Sequence, residues 1–346
     1  ASGRNFINNV GSTAFNMSNG GNWLIYSTNP NNNTLNSLAS SFYRYGCTYG
    51  GTCPSFPATG NGLLYSYAPT LTVTPSTANV TYGSSANLSG YGYTLSGYLA
   101  SDASIDNVTG TLNGATSYVA GNNVGSYNIN YSSGTLASAL GYAFSYANNS
   151  TALSVLAKTL TASLTGSVSK TYDGNTTATL SSGNYSLSGI YGSDAVNLNN
   201  PTSGTYDTKD VGTGKTVSVS GLSISGAAAG NYTLASTSTS GAVGQITAKS
   251  ITASLTGTVD KTYDGNTTAT LASGNYSLSG LIGGDTVNLN NPTSGTYDTK
   301  NVGTGKTVSV SGLSISGADA GNYTLSSAST SGAVGQIDAK SLTASL

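Results

Sequence analysis

A unit of 91 residues occurs twice in this chain, side by side. Residues 158–248 and 249–339 align without a gap, and 77 of the 91 positions are identical. Sequences this similar must share a fold, and a unit of this length holds one small hydrophobic core. We therefore predict two copies of one domain, at 158–248 and 249–339. The last seven residues, 340–346 (KSLTASL), match the opening of both copies and predict the start of a further repeat.

The repeat has the residue pattern of β-strands. In GKTVSVSGLSI (214–224), Val217, Val219, Leu222 and Ile224 alternate with small polar residues, which is the period of a half-buried strand. The chain also has 46 glycines, and glycine disfavours helix interiors. We predict a mainly β chain of serial, small, antiparallel β domains. Each domain would be β-grasp-like or an Ig-like sandwich, and together they would form an elongated tandem array.

A Tyr-Asp-Gly motif recurs in both copies. Its residues are Tyr172, Asp173 and Gly174 in the first copy and Tyr263, Asp264 and Gly265 in the second. Asp-Gly favours a tight hairpin turn, so we predict a repeated turn here. Two alternatives remain open for these residues. The recurring aspartates could hold calcium between units, and Lys170 could form a covalent crosslink to an asparagine.

Residues 71–157 follow the repeat in the order of their short motifs. YTLSG at 93–97 matches YSLSG at 185–189, and GSYNI at 125–129 matches GNYTL at 230–234. The similarity is low, but the shared order predicts a related β domain at 71–157.

The leading segment, 1–70, has a different pattern. NWLIY at 22–26 predicts a buried strand. Four apolar residues with helical spacing then predict one short helix near the N-terminus, within 34–45: Leu35, Leu38, Ala39 and Phe42.

The composition offers few candidates for catalysis. The chain has no histidine, which excludes Ser-His-Asp and Cys-His catalysis and removes the commonest metal ligand. Cys47 and Cys53 are the only cysteines, and their close spacing predicts a local disulfide in an oxidising compartment. We expect no enzymatic activity, no cofactor and no metal site.

Charge is sparse. Charged residues make up 7% of the chain, and the net charge is −1. There is no basic face to meet nucleic-acid phosphates, so we expect no nucleic-acid partner. No apolar run approaches the roughly 20 residues that a spanning helix needs, so we expect no transmembrane segment.

One glycine-rich stretch resembles a phosphate-binding loop. GTGKT occurs at 212–216 and again at 303–307. The phosphate loop needs a glycine where this chain has Lys209 and Lys300, and it must lead into a helix. We predict a hairpin turn at these positions instead.

Tyrosine is the main aromatic residue, with 24 copies against 5 phenylalanines. Tyrosine presents an apolar face and a hydrogen-bonding tip, which suits a sugar-binding surface. It is also a common large residue of β-sheets. For the tyrosines that the repeat retains we predict core packing: Tyr172, Tyr185, Tyr206 and Tyr232.

Three sets of residues resemble known families. KTYDGN at 170–175 and 261–266 resembles the YDG repeat of large bacterial surface proteins, and the 71–157 unit resembles the MBG repeat found beside it. RNFIN, WLIYS and GNGLLY in the leading segment resemble the region after the β-helix of filamentous-haemagglutinin-like exoproteins. These exoproteins are adhesins secreted by two-partner secretion. The resemblance implies export through an outer-membrane transporter as partner, and a secreted or cell-surface location.

The function that follows is mechanical. We expect a structural stalk or filament segment of a large secreted bacterial surface adhesin, which mediates cell attachment, aggregation or cohesion of a biofilm matrix. The alternative is a binding module for a carbohydrate, a matrix component or a second copy of the chain, whose repeats supply avidity or assemble into extracellular fibres.

Overall fold

The computed structural model describes residues 5–17 and 19–344. Arg4 of the RNFIN stretch, and Ser345 and Leu346 of the predicted further repeat, lie outside the described residues. The chain divides into two compact units. Unit 1 consists of 1–159, 191–194 and 227–233, and unit 2 of 160–190, 195–226 and 234–346.

The described residues contain 32 strands. Before the repeats lie β1 (Leu24–Ser27), β2 (Phe42–Arg44), β3 (Gly62–Tyr65), β4 (Thr70–Pro75), β5 (Ala78–Thr81), β6 (Tyr93–Ser96), β7 (Val108–Thr109), β8 (Asn113–Ala115), β9 (Gly125–Ser132), β10 (Ala137–Ser138), β11 (Ala143–Tyr146) and β12 (Asn148–Leu156). The first repeat holds β13 (Lys158–Leu164), β14 (Val168–Thr171), β15 (Thr177–Thr179), β16 (Tyr185–Ser188), β17 (Asn197–Leu198), β18 (Ser203–Tyr206), β19 (Gly212–Ser220), β20 (Ile224–Ser225), β21 (Tyr232–Leu234) and β22 (Ser238–Thr247). The second repeat holds β23 (Lys249–Leu255), β24 (Val259–Thr262), β25 (Thr268–Thr270), β26 (Tyr276–Ser279), β27 (Asn288–Leu289), β28 (Ser294–Tyr297), β29 (Gly303–Ser311), β30 (Ile315–Ser316), β31 (Tyr323–Leu325) and β32 (Ser329–Asp338).

The helices of the described residues are eight single 3-10 turns of three residues each. They are Gly11–Thr13, Pro30–Asn32, Leu88–Gly90, Asp102–Ser104, Ser182–Asn184, Ala229–Asn231, Ser273–Asn275 and Ala320–Asn322. Within residues 5–17 and 19–344, no helix has the length and apolar character that a membrane span requires.

Unit 1 has three larger sheets. In the leading segment, β3 lies between β1 and β2 and runs parallel to both. Residues 71–157 form one sheet in the order β11-β4-β6 and another in the order β5-β12-β9-β8. Their inward-facing side chains are almost completely buried: Leu71, Val73, Ile129, Leu153 and Val155. The two-residue period in these strands places these apolar groups on a single face of each sheet.

In unit 2, the second repeat is complete. Its main sheet has the order β24-β32-β29-β28-β25, and its edge strands β24 and β25 contact each other, so the sheet curls back on itself. Smaller sheets have the orders β26-β23-β31 and β27-β30. The main sheet of the first repeat has the same order, β14-β22-β19-β18-β15. The predicted mainly β fold with serial sheets is thereby confirmed.

The sheets are mixed and not uniformly antiparallel. In the second repeat β24 runs parallel to β32, and β23 runs parallel to β31. In both pairs, an early strand of the repeat lies beside one of its last two strands and runs in the same direction. Short-range sequence patterns do not carry that long-range pairing.

The predicted short helix within 34–45 is wrong. Asn36 and Ser37 have positive φ angles of 48° and 70°, which an α-helix does not accommodate. Phe42–Arg44 form β2, which pairs with β3. Leu38 is buried in the core of this segment, so the apolar spacing reflects burial without helical structure.

Two predicted hairpin turns are also wrong. The Asp173-Gly174 turn joins β14 to β15, which stand at opposite ends of the sheet order instead of pairing as a hairpin. The GTGKT stretch at 212–216 lies within β19, where register shifts on either side of Lys215 mark bulges. Gly214 takes a φ of 65° there, which explains why glycine suits the site.

Glycine packing supplies a test of the repeat core. A Cβ on Gly335 would lie 2.7 Å from Cε1 of Tyr297 and 2.8 Å from the carbonyl oxygen of Lys306, whereas a Cβ on Gly274 would meet nothing within 4 Å. Gly335→Ala should lower the free energy of unfolding by about 1–3 kcal/mol, because the added methyl group has no room in the core. Gly274→Ala is the matched control and should change it by less than about 1 kcal/mol. Urea unfolding of both variants measures this, and equal effects would contradict the packing.

Candidate functional site

The Tyr-Asp-Gly motif contributes to the contact between the two repeats. Tyr172 is 1% exposed, and its hydroxyl donates a hydrogen bond of 2.9 Å to Oδ2 of Asp285 in the second repeat. The hydroxyl of Tyr323 donates to the same oxygen at 2.5 Å. The two rings meet edge to face, with centroids 5.4 Å apart. We call such a set, one tyrosine of the preceding domain with an aspartate and a tyrosine of the following domain, a junction triad.

A second contact lies beside this junction triad. Asn322 is 6% exposed, and its Oδ1 accepts the backbone N–H of Val211 at 2.9 Å. Its Nδ2 donates to Oδ1 of Asp210 at 3.2 Å. A buried amide needs its hydrogen bonds satisfied, so Asn322 fixes the backbone of the first repeat against the second.

Lys209 brings a positive charge to the same junction. Its Nζ lies 2.9 Å from the hydroxyl of Tyr172, 3.4 Å from Asp319 and 4.0 Å from Asp285. The hydrogen bond with Tyr172, followed by that with Asp319, raises the pKa of Lys209. The backbone N–H of Thr286, and then Lys209, lower the pKa of Asp319. Both groups therefore stay ionised at neutral pH, and the ammonium stands among the carboxylates.

Unit 1 contains the same arrangement. Tyr82 donates to Oδ2 of Asp194 at 2.8 Å, and Tyr232 donates to that oxygen at 2.5 Å. The two rings are again edge to face, at 5.3 Å. Asn231 accepts the backbone N–H of Val124 at 2.9 Å, as Asn322 does for Val211. This is a second junction triad, between 71–157 and short segments of the first repeat.

A third junction triad joins the leading segment to 71–157, also within unit 1. Tyr45 and Tyr142 donate to Oδ2 of Asp102 at 2.9 and 2.6 Å, and Tyr43 donates to Oδ1. The rings of Tyr45 and Tyr142 are edge to face at 5.1 Å. Asp102 is 3% exposed, so these hydroxyls replace water as its hydrogen-bond donors.

The three domains hold the second tyrosine in the same way. The hydroxyl of Tyr142 accepts the backbone N–H of Leu99. In the same way, Tyr232 accepts the N–H of Tyr191, and Tyr323 accepts the N–H of Ile282. The counterpart of the GNYTL stretch at 230–234 is therefore the segment around Tyr142, and the sequence match to 125–129 is wrong. Long-range hydrogen bonds identify this correspondence, whereas the short motif could not.

Glycine packing explains the last residue of the motif. A Cβ on Gly83 would lie 2.6 Å from the ring of Tyr191, and a Cβ on Gly174 would lie 2.9 Å from Cγ2 of Ile282. Both glycines also have positive φ, at 82° and 80°. The downstream domain thus packs directly on the glycine, where a larger residue would prevent the approach.

The other predicted site residues have structural roles. Cys47 and Cys53 form a disulfide within the leading segment. Asp173 and Asp264 each accept a hydrogen bond from a lysine three residues earlier, Lys170 at 2.7 Å and Lys261 at 2.8 Å. Desolvation opposes the shift, but the bond from Lys170 and the N–H of Asn175 lower the pKa of Asp173. Nζ of Lys170 donates to the carboxylate of Asp173 and to Oδ1 of Asn175, so it belongs to the hydrogen bonds of this exposed turn. The Lys–Asn crosslink stays a prediction.

The lysine of the GTGKT stretch also has a local role. Lys215 is buried to 9% exposure, donates to the hydroxyl of Thr208 at 2.5 Å and lies 3.3 Å from Asp207. Lys306 repeats these contacts with Thr299 and Asp298. The lysine charge is therefore paired next to the bulge of its own strand. Among the described residues, there is no group of three Cys, Asp or Glu side chains placed to hold a metal ion.

Unit 1 has a cavity of about 230 Å³ at the third junction triad. It is lined by Tyr43, Tyr45, Tyr65 and Asp102 among others. The carboxylate of Asp102 accepts hydrogen bonds from three tyrosine hydroxyls. The Asp102 carboxylate is therefore engaged within the triad. The rest of the lining mixes tyrosine rings with proline, aliphatic and small polar side chains.

The sequence analysis did not single out Asp194 and Asp285 as junction residues. A signal was present in the differences between the repeats. Three of these differences lie at a junction contact or at its equivalent position. Asp210 becomes Asn301, Ala228 becomes Asp319 and Tyr191 becomes Ile282. Differences that cluster at one interface indicate that the two repeats face different neighbouring domains.

The repeats provide an internal control for the junction triad. Tyr172→Phe removes a buried donor to the Asp285 carboxylate and should destabilise the contact between the repeats by about 1–3 kcal/mol. Tyr263→Phe changes the equivalent residue, which makes no such contact within residues 19–344, and should cost less than about 0.5 kcal/mol. Urea unfolding of the full chain tests both variants. Equal losses would show that Tyr172 acts only inside its own repeat.

Alkaline pH should weaken the junctions. Burial, followed by the hydrogen bond to aspartate, raises the pKa of Tyr82 and of Tyr323 from 10.0 to about 12. Their contribution to stability is complete below about pH 10, where the unfolded chain also keeps its protons, and is lost as pH rises toward about 12. The free energy of unfolding should therefore fall across this range. In the double variant Tyr82→Phe/Tyr323→Phe the fall should be shallower, and an unchanged slope would contradict the assignment.

Comparisons with known proteins identify the domains. Residues 71–152 match the MBG domain of the YGX type, and residues 156–240 and 247–331 match the YDG domain. The search of curated proteins finds no match. Among solved structures, the N-terminal four Ig domains of Dscam1 isoform 9.44, with zinc, are 12% identical, with 83% of this chain and 76% of that chain covered. The TM-score is 0.16, which is too low to support an argument about this chain.

The predicted resemblance to MBG and YDG repeats is confirmed, while the kinship with two-partner-secretion exoproteins stays a prediction. The chain carries one MBG domain of the YGX type followed by two YDG domains, the composition of an MBG/YDG repeat protein.

Proposed function

We propose that this chain is a stalk or filament segment of a large exported bacterial surface adhesin. The observation that carries the proposal is the repetition of one buried contact. Each of three successive junctions uses a tyrosine from the preceding domain and an aspartate and tyrosine from the following domain. A binding module that acts alone has no need of such a junction, whereas a stalk needs one at every step.

The short connections support the same role. A single residue, Ala248, separates β22 from β23, and a single residue, Ala157, separates β12 from β13. A connection this short cannot act as a flexible linker. Together with the buried triads, it would restrict bending at each junction and let added domains increase reach.

The chemistry of the surface fits an extracellular place. MBG and YDG domains typically occur in extracellular or surface proteins. Charged residues make up 7% of the chain, so few surface groups respond to salt or pH. The Cys47–Cys53 disulfide persists in an oxidising environment. An adhesin that mediates attachment, aggregation or cohesion of a biofilm matrix would work under these conditions.

Electron microscopy of the purified chain tests the proposal. A stalk segment should appear as a row of beads with a narrow range of bend angles. Asp285→Ala removes the acceptor shared by Tyr172 and Tyr323 and should broaden the bend between the two YDG domains. Asp264→Ala, at an exposed turn outside the junctions, is the control and should leave the distribution unchanged.

Two results would contradict the proposal. One is a compact globular particle of the same mass. The other is a glycan array on which binding rises steeply as repeats are added, because that result would favour the alternative of a carbohydrate-binding module with avidity.

A further inference from the structure

The second YDG domain carries a copy of the surface that the first uses to hold its neighbour. In the first domain this surface consists of Tyr172, Gly174, Lys209, Asp210 and Val211, and in the second of Tyr263, Gly265, Lys300, Asn301 and Val302. We call the second set the open face. Val302 is 54% exposed, whereas Val211 is half-buried against the second domain. A Cβ on Gly265 would meet nothing within 4 Å, whereas one on Gly174 would meet Ile282.

We propose that the open face binds a further YDG domain, and that it selects one with an aspartate at the position of Asp319. The proposal rests on the stalk function and deepens it, because it states which domain can follow which. The occupant is inferred from the established contact, in which an equivalent surface already holds Asp285, Asn322 and Tyr323.

The selection follows from one pair of charges. At the junction of the two YDG domains, Lys209 lies 3.4 Å from Asp319. At the junction of the MBG domain with the first YDG domain, the equivalent positions hold Asn122 and Ala228. The lysine and the aspartate thus occur together, and the two uncharged residues occur together. Lys300 on the open face is a lysine, so its partner should carry the aspartate.

A second copy of this chain does not supply the occupant. The domain that docks must present an aspartate and a tyrosine that are not already bound. In the part of the chain that the structure describes, Asp102, Asp194 and Asp285 each accept hydrogen bonds from a preceding tyrosine. Each described surface that carries such an aspartate is occupied, so a further domain in the same array is the partner that fits the open face.

Amide hydrogen exchange at Val302 tests the proposal in the full chain. The amides of Val124 and Val211 are held by Asn231 and Asn322 and should exchange slowly. The chain is extended by replacing 340–346 with a third YDG domain copied from 249–339. Exchange at Val302 should then slow by about tenfold or more, because a new hydrogen bond and its packing must open first.

A matched extension isolates the charge pair. In this variant the third domain has alanine in place of the aspartate that corresponds to Asp319. Protection of Val302 should be about two- to fivefold weaker than with the aspartate, as expected for a partly exposed ion pair. Lys300→Asn should remove the difference between the two extensions, and added salt should reduce it.

Three outcomes would overturn the inference. Val302 could exchange equally fast with and without the third domain, the two extensions could protect it equally, or the unextended chain could dimerise with Val302 protected. The readout is local to one amide and does not depend on particle shape. Failure here with beaded, stiff particles would leave the stalk function standing, whereas compact particles would count against that function itself.

Discussion

The architecture of this chain depends on an aspartate carboxylate that two tyrosine hydroxyls share. A carboxylate removed from water is costly unless strong donors replace its hydration. At Asp285, Tyr172 and Tyr323 provide those donors from two different domains. Neither domain alone satisfies the charge in this way, so the two domains stabilise each other. The edge-to-face packing of the two rings adds apolar contact around the same oxygen.

This arrangement explains how domains with few charged residues can still hold one another. A surface ion pair contributes little because water screens it, whereas a hydrogen bond to a charged group in a buried place is worth roughly twice as much as a neutral one. The Lys209–Asp319 ion pair is more exposed and lies at the edge of the triad. The buried hydroxyls would supply affinity between neighbours, and the exposed pair would distinguish one neighbour from another.

Much of the fold could be predicted from the sequence. The gapless repeat defined two copies of one domain. The alternation around Val217 indicated a strand, and Val217 is completely buried in the structure. The helix near Leu38 and the Asp173-Gly174 hairpin could not be judged locally. In both cases the deciding factor is a partner distant in sequence: β3 for the chain after Leu38, and β22 for the strand before Asp173. Local patterns report burial and turns, but they do not report which strand pairs with which.

The sequence by itself determined that this is a serial β protein with little charge, no histidine chemistry and a recurring Tyr-Asp-Gly motif. Only the tertiary structure decided what the motif does. Tyr172 is separated by more than a hundred residues from Asp285, and so is Tyr82 from Asp194. The physical reason is that a carboxylate largely removed from water takes its donors from whichever chain segments folding brings to it, and that assembly has no signature in a local window.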